Sequence, residues 1–230
     1  MFRPAALRTM TWPGQCEACR RWTRGRLCAD CTPAAAAARC DGCGLRLSGS
    51  AGAARCGNCL AHPLPFSRCL CAVDYQAPWD RLILRFKYHG AVDLAPLLAE
   101  HLALAIDAQG LAEANLVVPM PLAPRRLAER GYNQAWELAR RVARRLGRRA
   151  EPAALQRPLD RAPQAGLDRA ARRRNLQGVF VVPHRALVAG RCIALVDDVL
   201  TTGATAAEAS QALLAAGAAS VQAWVLARTP

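Results

Sequence analysis

Eight of the eleven cysteines form four C-x-x-C pairs near the start of the chain, a spacing that suits metal binding. The pairs are Cys16 and Cys19, Cys28 and Cys31, Cys40 and Cys43, and Cys56 and Cys59. Two such turns supply the four sulfurs that tetrahedral Zn²⁺ prefers, so we predict two structural zinc sites. An iron–sulfur cluster or a redox dithiol are the alternatives. Sequential pairing of the turns is the simplest arrangement, but the spacing leaves a cross-braced pairing open.

Two adjacent carboxylates, Asp197 and Asp198, follow an apolar run at 192–196 and precede a short polar turn. The turn consists of Thr201, Thr202, Gly203, Ala204 and Thr205, and a helical pattern follows it. Backbone N–H groups at the start of a helix bind anions, and the threonine hydroxyls add donors. Carboxylates beside a phosphate would repel it unless they bind sugar hydroxyls or a bridging Mg²⁺. The pattern therefore indicates a site for a phosphorylated ribose; the spacing of a Walker loop is absent.

Three arginines, Arg125, Arg126 and Arg130, precede an amphipathic segment at 133–146. A guanidinium group can bind phosphate oxygens through two donors, so we expect these side chains to contact an anionic ligand. Gly131 and Asn133 fit a turn before the helix, and Asn133 is its predicted N-cap.

Strand and helix patterns alternate through the rest of the chain. They predict strands at 69–75, 115–118, 179–182, 192–196 and 221–226, and helices at 79–88, 94–107, 133–146 and 205–216. Strands separated by helices predict an α/β domain with a mainly parallel sheet, which binds ligands at the carboxyl ends of its strands. The change in composition near 62–68 predicts a cysteine-rich module at 1–65 and the α/β domain at 66–230.

The chain of 230 residues carries a formal net charge of +14, and Lys87 is its only lysine. Such a charge concentrates polyanions, so nucleic acid, a phosphorylated metabolite or an anionic membrane surface are candidate partners. No apolar run suits a membrane span, and the first residues lack the pattern of a secretory signal. We therefore expect a cytoplasmic protein, in which disulfides would not explain the cysteines. Cys69, Cys71 and Cys192 are expected to be small buried residues.

Several segments resemble known families. VDDVLTTGAT at 196–205 is similar to the signature with which type I phosphoribosyltransferases bind 5-phosphoribosyl 1-pyrophosphate (PRPP). VPMPLAPRRLAERGYNQAWELA at 118–139 resembles a stretch of the ComF family, phosphoribosyltransferase-like proteins linked to bacterial DNA uptake. The cysteine-rich start and FKYHG at 86–90 also resemble this family.

A further segment, at 157–180, resembles a flexible flap of the ComF family. Its matching residues are Gln164, Gly166, Leu167, Arg172, Asn175 and Phe180. The sequence departs from the pattern at Arg161, where the family usually has threonine. A mobile arm rich in arginine would close over a charged substrate and exclude water.

The resemblance implies a type I phosphoribosyltransferase-like fold preceded by a double zinc ribbon. Asp197 and Asp198 would then hold the ribose with Mg²⁺, the turn at 201–205 the 5′-phosphate, and Arg125, Arg126 and Arg130 the pyrophosphate. The implied function is binding of PRPP or a phosphoribosyl group in a protein linked to DNA uptake during natural transformation. No residue identifies an acceptor, so enzymatic activity as a phosphoribosyltransferase is left open.

The alternative is a non-catalytic competence protein that binds single-stranded DNA through the phosphate loop and the arginine-rich surface. Aromatic residues make up only 5% of the chain, which disfavours base stacking as the main mode of binding. Trp12, Trp22 and Tyr132 could still contribute. A third reading is a regulator that senses PRPP through an inactive site.

Overall fold

Among the residues that the structure describes, the main sheet has five strands, all parallel. The computed structural model describes residues 13–33, 38–47, 54–109, 114–158 and 178–230. The strands are β3 (Arg68–Asp74), β4 (Leu116–Pro119), β5 (Arg149–Ala150), β6 (Cys192–Leu200) and β7 (Ser220–Arg228), in the order β3–β7–β6–β4–β5. Two short strands, β1 (Gly14–Gln15) and β2 (Trp22–Thr23), form a separate antiparallel pair. The predicted α/β class is therefore confirmed.

Helices cover both faces of this sheet. They are α1 (Gly57–Ala61), α2 (Trp79–Tyr88), α3 (Ala95–Ala108), α4 (Pro124–Arg130), α5 (Gln134–Arg145) and α6 (Ala204–Ala215). Helices α2, α3 and α5 pack on one face, and α6 packs on the other. None of the described helices is both long enough and apolar enough to cross a membrane.

The central strands are apolar on both sides because both faces of the sheet are covered. In β6, Ala194 and Val196 join the core beneath α3 and α5, while Ile193 and Leu195 join the core beneath α6. Successive side chains of a strand point to opposite faces, so a strand buried on both sides has an uninterrupted apolar sequence. This burial fixes β6, whose carboxyl end carries the aspartates.

The cysteine-rich segments pack against β3, which is an edge strand. The backbone N–H of Cys69 donates to the carbonyl of Asp41 at 2.6 Å, and Arg39 pairs with Asp74 at 2.7 Å. These contacts cover the edge of the sheet that β3 would otherwise expose. The division of the chain at 65/66 stays a prediction.

Several predicted elements need correction. The segment at 179–182 is not a strand of the sheet: Val181 makes only an isolated antiparallel bridge to Gln156, and Pro183 follows directly. Strand β6 continues to Leu200, so the aspartates lie within the strand, where β7 supplies hydrogen-bond partners. Cys69 and Cys71 are buried as predicted, whereas Cys192 is half-buried at the start of β6.

Candidate functional site

A buried ion pair lies at the carboxyl end of β6. The ammonium Nζ of Lys87, from the last turn of α2, is 3.1 Å from Oδ1 of Asp198. The Asp198 side chain is only 3% exposed and that of Lys87 18%, so both charges are largely shielded from water. No sequence pattern predicted a role for Lys87, although it is the only lysine of the chain. The pair shows that α2 contributes directly to the site.

The second carboxyl group is held in an environment that disfavours its charge. Burial raises the pKa of Asp197 to about 8, and repulsion by Asp198 acts in the same direction, while Lys87 opposes both. Burial disfavours the charged form of Lys87, but the two carboxylates outweigh it and raise the lysine pKa. A cation placed beside the aspartates would therefore favour the ionised form of Asp197.

The polar turn after β6 begins α6. Gly203 is the N-cap of this helix, and its φ of 79° lies in the left-handed region that favours glycine. A Cβ at this position would also lie 3.3 Å from Cδ1 of Leu64. The hydroxyl of Thr202 accepts a hydrogen bond from the N–H of Ala204 at 3.4 Å. The turn is thus shaped by its own glycine and hydroxyl groups, as its sequence predicts.

A cleft with a volume of about 180 Å³ lies between this turn and α4. The residues predicted for the site that line it are Asp197, Asp198, Thr201, Gly203, Ala204, Thr205, Arg126 and Arg130. Lys87, Tyr88, Gln134 and Arg157 line it as well and were not predicted. Carboxylates, hydroxyls and guanidinium groups from distant parts of the chain therefore face one volume.

Two of the predicted residues do not line the cleft. The Arg125 side chain is 79% exposed and pairs with Glu129 at 2.8 Å. Thr202 is exposed at the outer side of its turn. The reason for the position of Arg125 is that 124–130 forms a helix, an element that the sequence patterns did not predict there, and residues four apart share a helix face. Arg126 and Arg130 therefore point together, and Arg125 points elsewhere.

The segment after α4 connects three elements around the cleft. The hydroxyl of Tyr132 donates to the carbonyl of Phe86, next to Lys87. The Asn133 side chain donates from Nδ2 to the carbonyl of Met120 at 3.1 Å. Its Oδ1 accepts from the N–H groups of Ala135 and Trp136, which confirms the predicted N-cap. These bonds hold the ends of α2, β4 and α5 together.

The predicted flap lies mostly outside the described residues. This applies to Arg161 and to the matching residues Gln164, Gly166, Leu167, Arg172 and Asn175. Phe180 is described and is buried, with the guanidinium carbon of Arg157 5.7 Å from the centre of its ring. Arg157 itself lines the cleft, so the beginning of the flap segment reaches the site.

The eight predicted cysteines form two tetrads. The first tetrad is Cys16, Cys19, Cys28 and Cys31, and the second is Cys40, Cys43, Cys56 and Cys59. Within each tetrad all the sulfur atoms lie within 4.8 Å of one another. The pairing is therefore sequential, which resolves the alternative left open by the spacing. Four cysteine sulfurs gathered in this way fit a tetrahedral zinc ion.

Backbone N–H groups prepare the sulfurs of both tetrads for metal binding. The N–H of Cys28 donates to Sγ of Cys16 at 3.4 Å, and that of Cys56 donates to Sγ of Cys40 at 3.1 Å. Burial disfavours ionisation, but backbone hydrogen bonds outweigh it and lower the pKa of Cys16 to about 6 and that of Cys40 to about 7. Each tetrad thus has one thiol that ionises readily, as a zinc ligand must.

Solved structures with a similar arrangement include phosphoribosyl-transferring enzymes, at low similarity. A glutamine PRPP amidotransferase from B. subtilis is 19% identical with a TM-score of 0.43, over 62% of this chain and 30% of that one. A Trypanosoma cruzi hypoxanthine phosphoribosyl transferase is 14% identical with a TM-score of 0.36, over 62% and 66% of the two chains. Scores below 0.5 carry no weight for fold or function.

Relatives with known names cover nearly the whole chain, although no protein-family model matches it. DNA utilization protein YhgH of Escherichia coli strain K12 is 35% identical over 232 residues, which cover 96% of this chain and 99% of that protein. Competence protein F of Haemophilus influenzae is 34% identical over 194 residues, which cover 82% and 84% of the two chains. Together with the motifs quoted above, these identities show that the chain belongs to the ComF family.

Proposed function

We propose that the cleft binds PRPP, or a ligand carrying the same phosphoribosyl group, together with Mg²⁺. The observation that carries this proposal is the pair of shielded carboxylates, Asp197 and Asp198, facing the same cleft as a hydroxyl-rich turn at a helix N-terminus. In this assignment the aspartates bind the ribose hydroxyls. The turn at 201–205 binds the 5′-phosphate through hydroxyl and N–H donors.

The opposite wall of the cleft suits the pyrophosphate group. Arg126 and Arg130 lie on one face of α4 and both line the cleft. Arg130 also lies over the ring of Tyr88, with 5.1 Å between its guanidinium carbon and the ring centre. Two guanidinium groups on a rigid helix would neutralise a charged leaving group and fix its orientation. Arg125, which points away, has no place in this assignment.

The donor atoms present also fit Mg²⁺. Among the described residues, the Oδ2 atom of Asp198 is buried and has no hydrogen-bond partner. Mg²⁺ prefers oxygen ligands, usually one or two carboxylates together with phosphate oxygens and water. Asp198 and Asp197 are the residues that would hold it, and the bound ion would neutralise charge on the pyrophosphate.

This arrangement suits displacement of pyrophosphate from C1′ of the sugar by a nucleophilic acceptor, in which the bond from C1′ to the pyrophosphate oxygen breaks and a bond from C1′ to the acceptor forms. Such a reaction develops positive charge on the ribose ring, and the carboxylates of Asp197 and Asp198 would stabilise that charge. Lys87 would hold the Asp198 carboxyl group in place, because its ammonium group lies 3.1 Å from Oδ1. We propose that this chemistry, or ligand binding without turnover, serves DNA uptake or use, because relatives carry the names DNA utilization protein and Competence protein F.

A second candidate function is direct binding of single-stranded DNA by the same turn and arginines, without turnover. The observation that favours it is the net charge of +14, which attracts any polyanion. The two functions differ in one respect that can be measured. A PRPP site requires Asp197 and Asp198, whereas a DNA phosphate would be repelled by them.

Thermal unfolding with and without ligand tests the proposal. PRPP with Mg²⁺ is expected to raise the Tm by roughly 5 °C at saturating concentration, because the ligand binds only the folded state. Asp197→Asn combined with Asp198→Asn is expected to abolish this shift. Asp107→Asn, on the exposed end of α3, is the matched control and should keep it.

Two results would contradict the proposal. One is a full shift in the double variant, which would remove the aspartates from the site. The other is an equal shift with pyrophosphate alone, which would show an anion site that does not recognise the sugar. Single-stranded DNA that binds more tightly to the double variant than to the unaltered protein would favour the second candidate function.

A further inference from the structure

The two cysteine tetrads are copies of one structural unit. In each, the first cysteine donates its N–H to the carbonyl five residues later: Cys16 to Arg21 at 2.8 Å, and Cys40 to Leu45 at 2.8 Å. In each, the residue after the second cysteine donates back to the first: Arg20 to Cys16 at 2.9 Å, and Gly44 to Cys40 at 2.8 Å. The units can therefore be compared position by position.

The second unit uses one face to dock on the sheet. A Cβ at Gly44 would lie 2.9 Å from the Cβ of Cys71, so only glycine fits against β3 here. Two residues further on, Arg46 pairs with Asp74 at 2.8 Å. Arg228 of β7 donates from Nε to the carbonyl of Cys43 at 2.9 Å. In the second unit this face therefore packs against β3 and β7.

The same face of the first unit is exposed. Arg20 takes the place of Gly44, and Trp22 takes the place of Arg46. Trp22 is 73% exposed, an unusual state for the largest apolar side chain. Arg20 has a φ of 65° and is the only non-glycine residue with positive φ among the described ranges. Glycine would avoid this strain. Arg20 therefore places a positive charge at a position where backbone geometry alone would favour glycine.

Exposed arginines flank Trp22 in the sequence. Arg20 and Arg24 are both exposed, and neither makes an ion pair with a residue that the structure describes. Arg21, also exposed, pairs with Asp30 at 2.7 Å. An aromatic ring between unpaired guanidinium groups provides a stacking surface for a base and charge for the adjoining phosphates.

The first unit contacts the α/β body through two arginines. Arg26 donates to the carbonyl of Asp93 at 2.9 Å, and Arg85 of α2 donates to the carbonyl of Glu17 at 3.0 Å. These contacts join the first unit to the α/β body through residues other than Arg20, Trp22 and Arg24.

We propose that Arg20, Trp22 and Arg24 form a binding site for single-stranded nucleic acid, separate from the cleft at Asp197. The indole ring of Trp22 stacks with one base, and Arg20 and Arg24 contact the neighbouring phosphates. This site does not depend on the proposed PRPP function, because none of its residues lines the cleft.

Binding of a fluorescent oligothymidylate to the zinc-loaded full chain tests the site. Trp22→Ala is expected to weaken binding roughly tenfold, and Trp22→Phe to keep most of the affinity, because a phenyl ring still stacks. Arg20→Gly is expected to weaken binding several-fold while leaving zinc content and Tm unchanged or higher. Each of these variants should keep its Tm shift with PRPP.

Two variants serve as matched controls. Leu60→Ala removes a side chain that is 70% exposed on the second unit, and Arg185→Ala removes one exposed positive charge from the α/β body. Both should bind the oligonucleotide within about twofold of the unaltered protein. Equal losses in the controls and in the Trp22 and Arg20 variants would overturn the proposal, as would a Trp22→Ala variant of full affinity.

Cross-linking of the unaltered protein keeps the test valid if a variant fails to fold. Oligonucleotides with photoreactive thymine analogues should cross-link to the peptide that contains Trp22, and mass spectrometry locates the site. Cross-links confined to other peptides would overturn the proposal. Equal binding of double-stranded DNA would do the same, since paired bases cannot stack on an exposed indole.

Discussion

At the scale of single residues, the site contains two adjacent aspartates, Asp197 and Asp198, and a lysine, Lys87, that the fold places beside them. Adjacent aspartates before a threonine-glycine turn were recognisable because they are contiguous in the chain. Lys87 was not, because its role depends on where α2 ends relative to β6, and its partner Asp198 is far away in sequence. It had two signals: it is the single lysine among 31 Lys and Arg residues, and it lies in the FKYHG stretch at 86–90. An ammonium group is a compact charge that fits where a guanidinium would not.

The raised pKa of Asp197 predicts how stability depends on pH. The folded-state pKa, about 8, lies above the ordinary value, so the folded protein holds a proton that the unfolded chain releases. Stability of the ligand-free protein should therefore fall as pH rises, by up to about 2 kcal/mol between pH 6 and pH 8. Urea unfolding of zinc-loaded protein at constant ionic strength measures this slope, and Asp197→Asn should flatten it.

Lys87→Met provides a second check on the same group. Loss of the ammonium charge should raise the pKa of Asp197 further. Stability should therefore continue to fall up to a higher pH than in the unaltered protein. A slope that is identical in the unaltered protein and in Asp197→Asn would show that another group causes the dependence.

At the scale of elements, α4 decides which arginines reach the cleft. No element was predicted over the segment 124–130, because seven residues with three arginines show no apolar periodicity. Its boundaries were nevertheless visible: Pro124 fits the first position of a helix, and Gly131, with φ of 80°, fits the residue after its end. Reading those two signals together would have separated Arg125 from Arg126 and Arg130.

This helix geometry gives a prediction for three similar variants. Arg126→Ala and Arg130→Ala should each weaken PRPP binding roughly tenfold, since each removes charge-assisted hydrogen bonds of about 1.5 to 3 kcal/mol. Arg125→Ala removes the same charge from a position of the helix that does not line the cleft, and should change affinity less than twofold. Isothermal titration with Mg²⁺ and PRPP measures all three. Equal losses would mean that the arginines act through net charge and not through position.

At the scale of the whole molecule, the cysteine tetrads are predictable from the sequence, but the surface on which they pack is not. The four C-x-x-C pairs indicated two metal sites, and sequential pairing was the simplest reading. Nothing in the spacing indicated that the second unit would cover the edge of β3, because that contact joins Gly44 to Cys69 and Cys71 through shape alone. The parallel sheet was predictable because strand and helix patterns alternate along the chain. The order of the strands within the sheet was not predictable.

The different placements of the two units predict unequal effects of losing each metal. Metal analysis should return two zinc ions per chain. Cys40→Ser with Cys43→Ser should lower the Tm of the α/β body by roughly 5 °C or more, because β3 loses its cover. Cys16→Ser with Cys19→Ser should lower it less, since that unit contacts the body through partly exposed side chains.

The accessibility of two other thiols provides the control. Cys69 and Cys71 are buried beneath the second unit and should resist thiol reagents in the zinc-loaded protein. They should become reactive in the Cys40/Cys43 variant and stay protected in the Cys16/Cys19 variant. The opposite order, or one zinc ion per chain, would show that the units do not divide their roles in this way.

The position of β7 in the sheet has a consequence for biosynthesis. Among the described strands, β3 pairs only with β7, and the neighbouring bond from Ser67 to Val221 spans 154 residues. While the ribosome is still making the intervening chain, β3 therefore lacks its partner strand. The second cysteine unit is made just before β3 and, if it binds zinc as we predict, would bind it during this interval. Metal supply in the growing cell would then guard the nascent strand against aggregation.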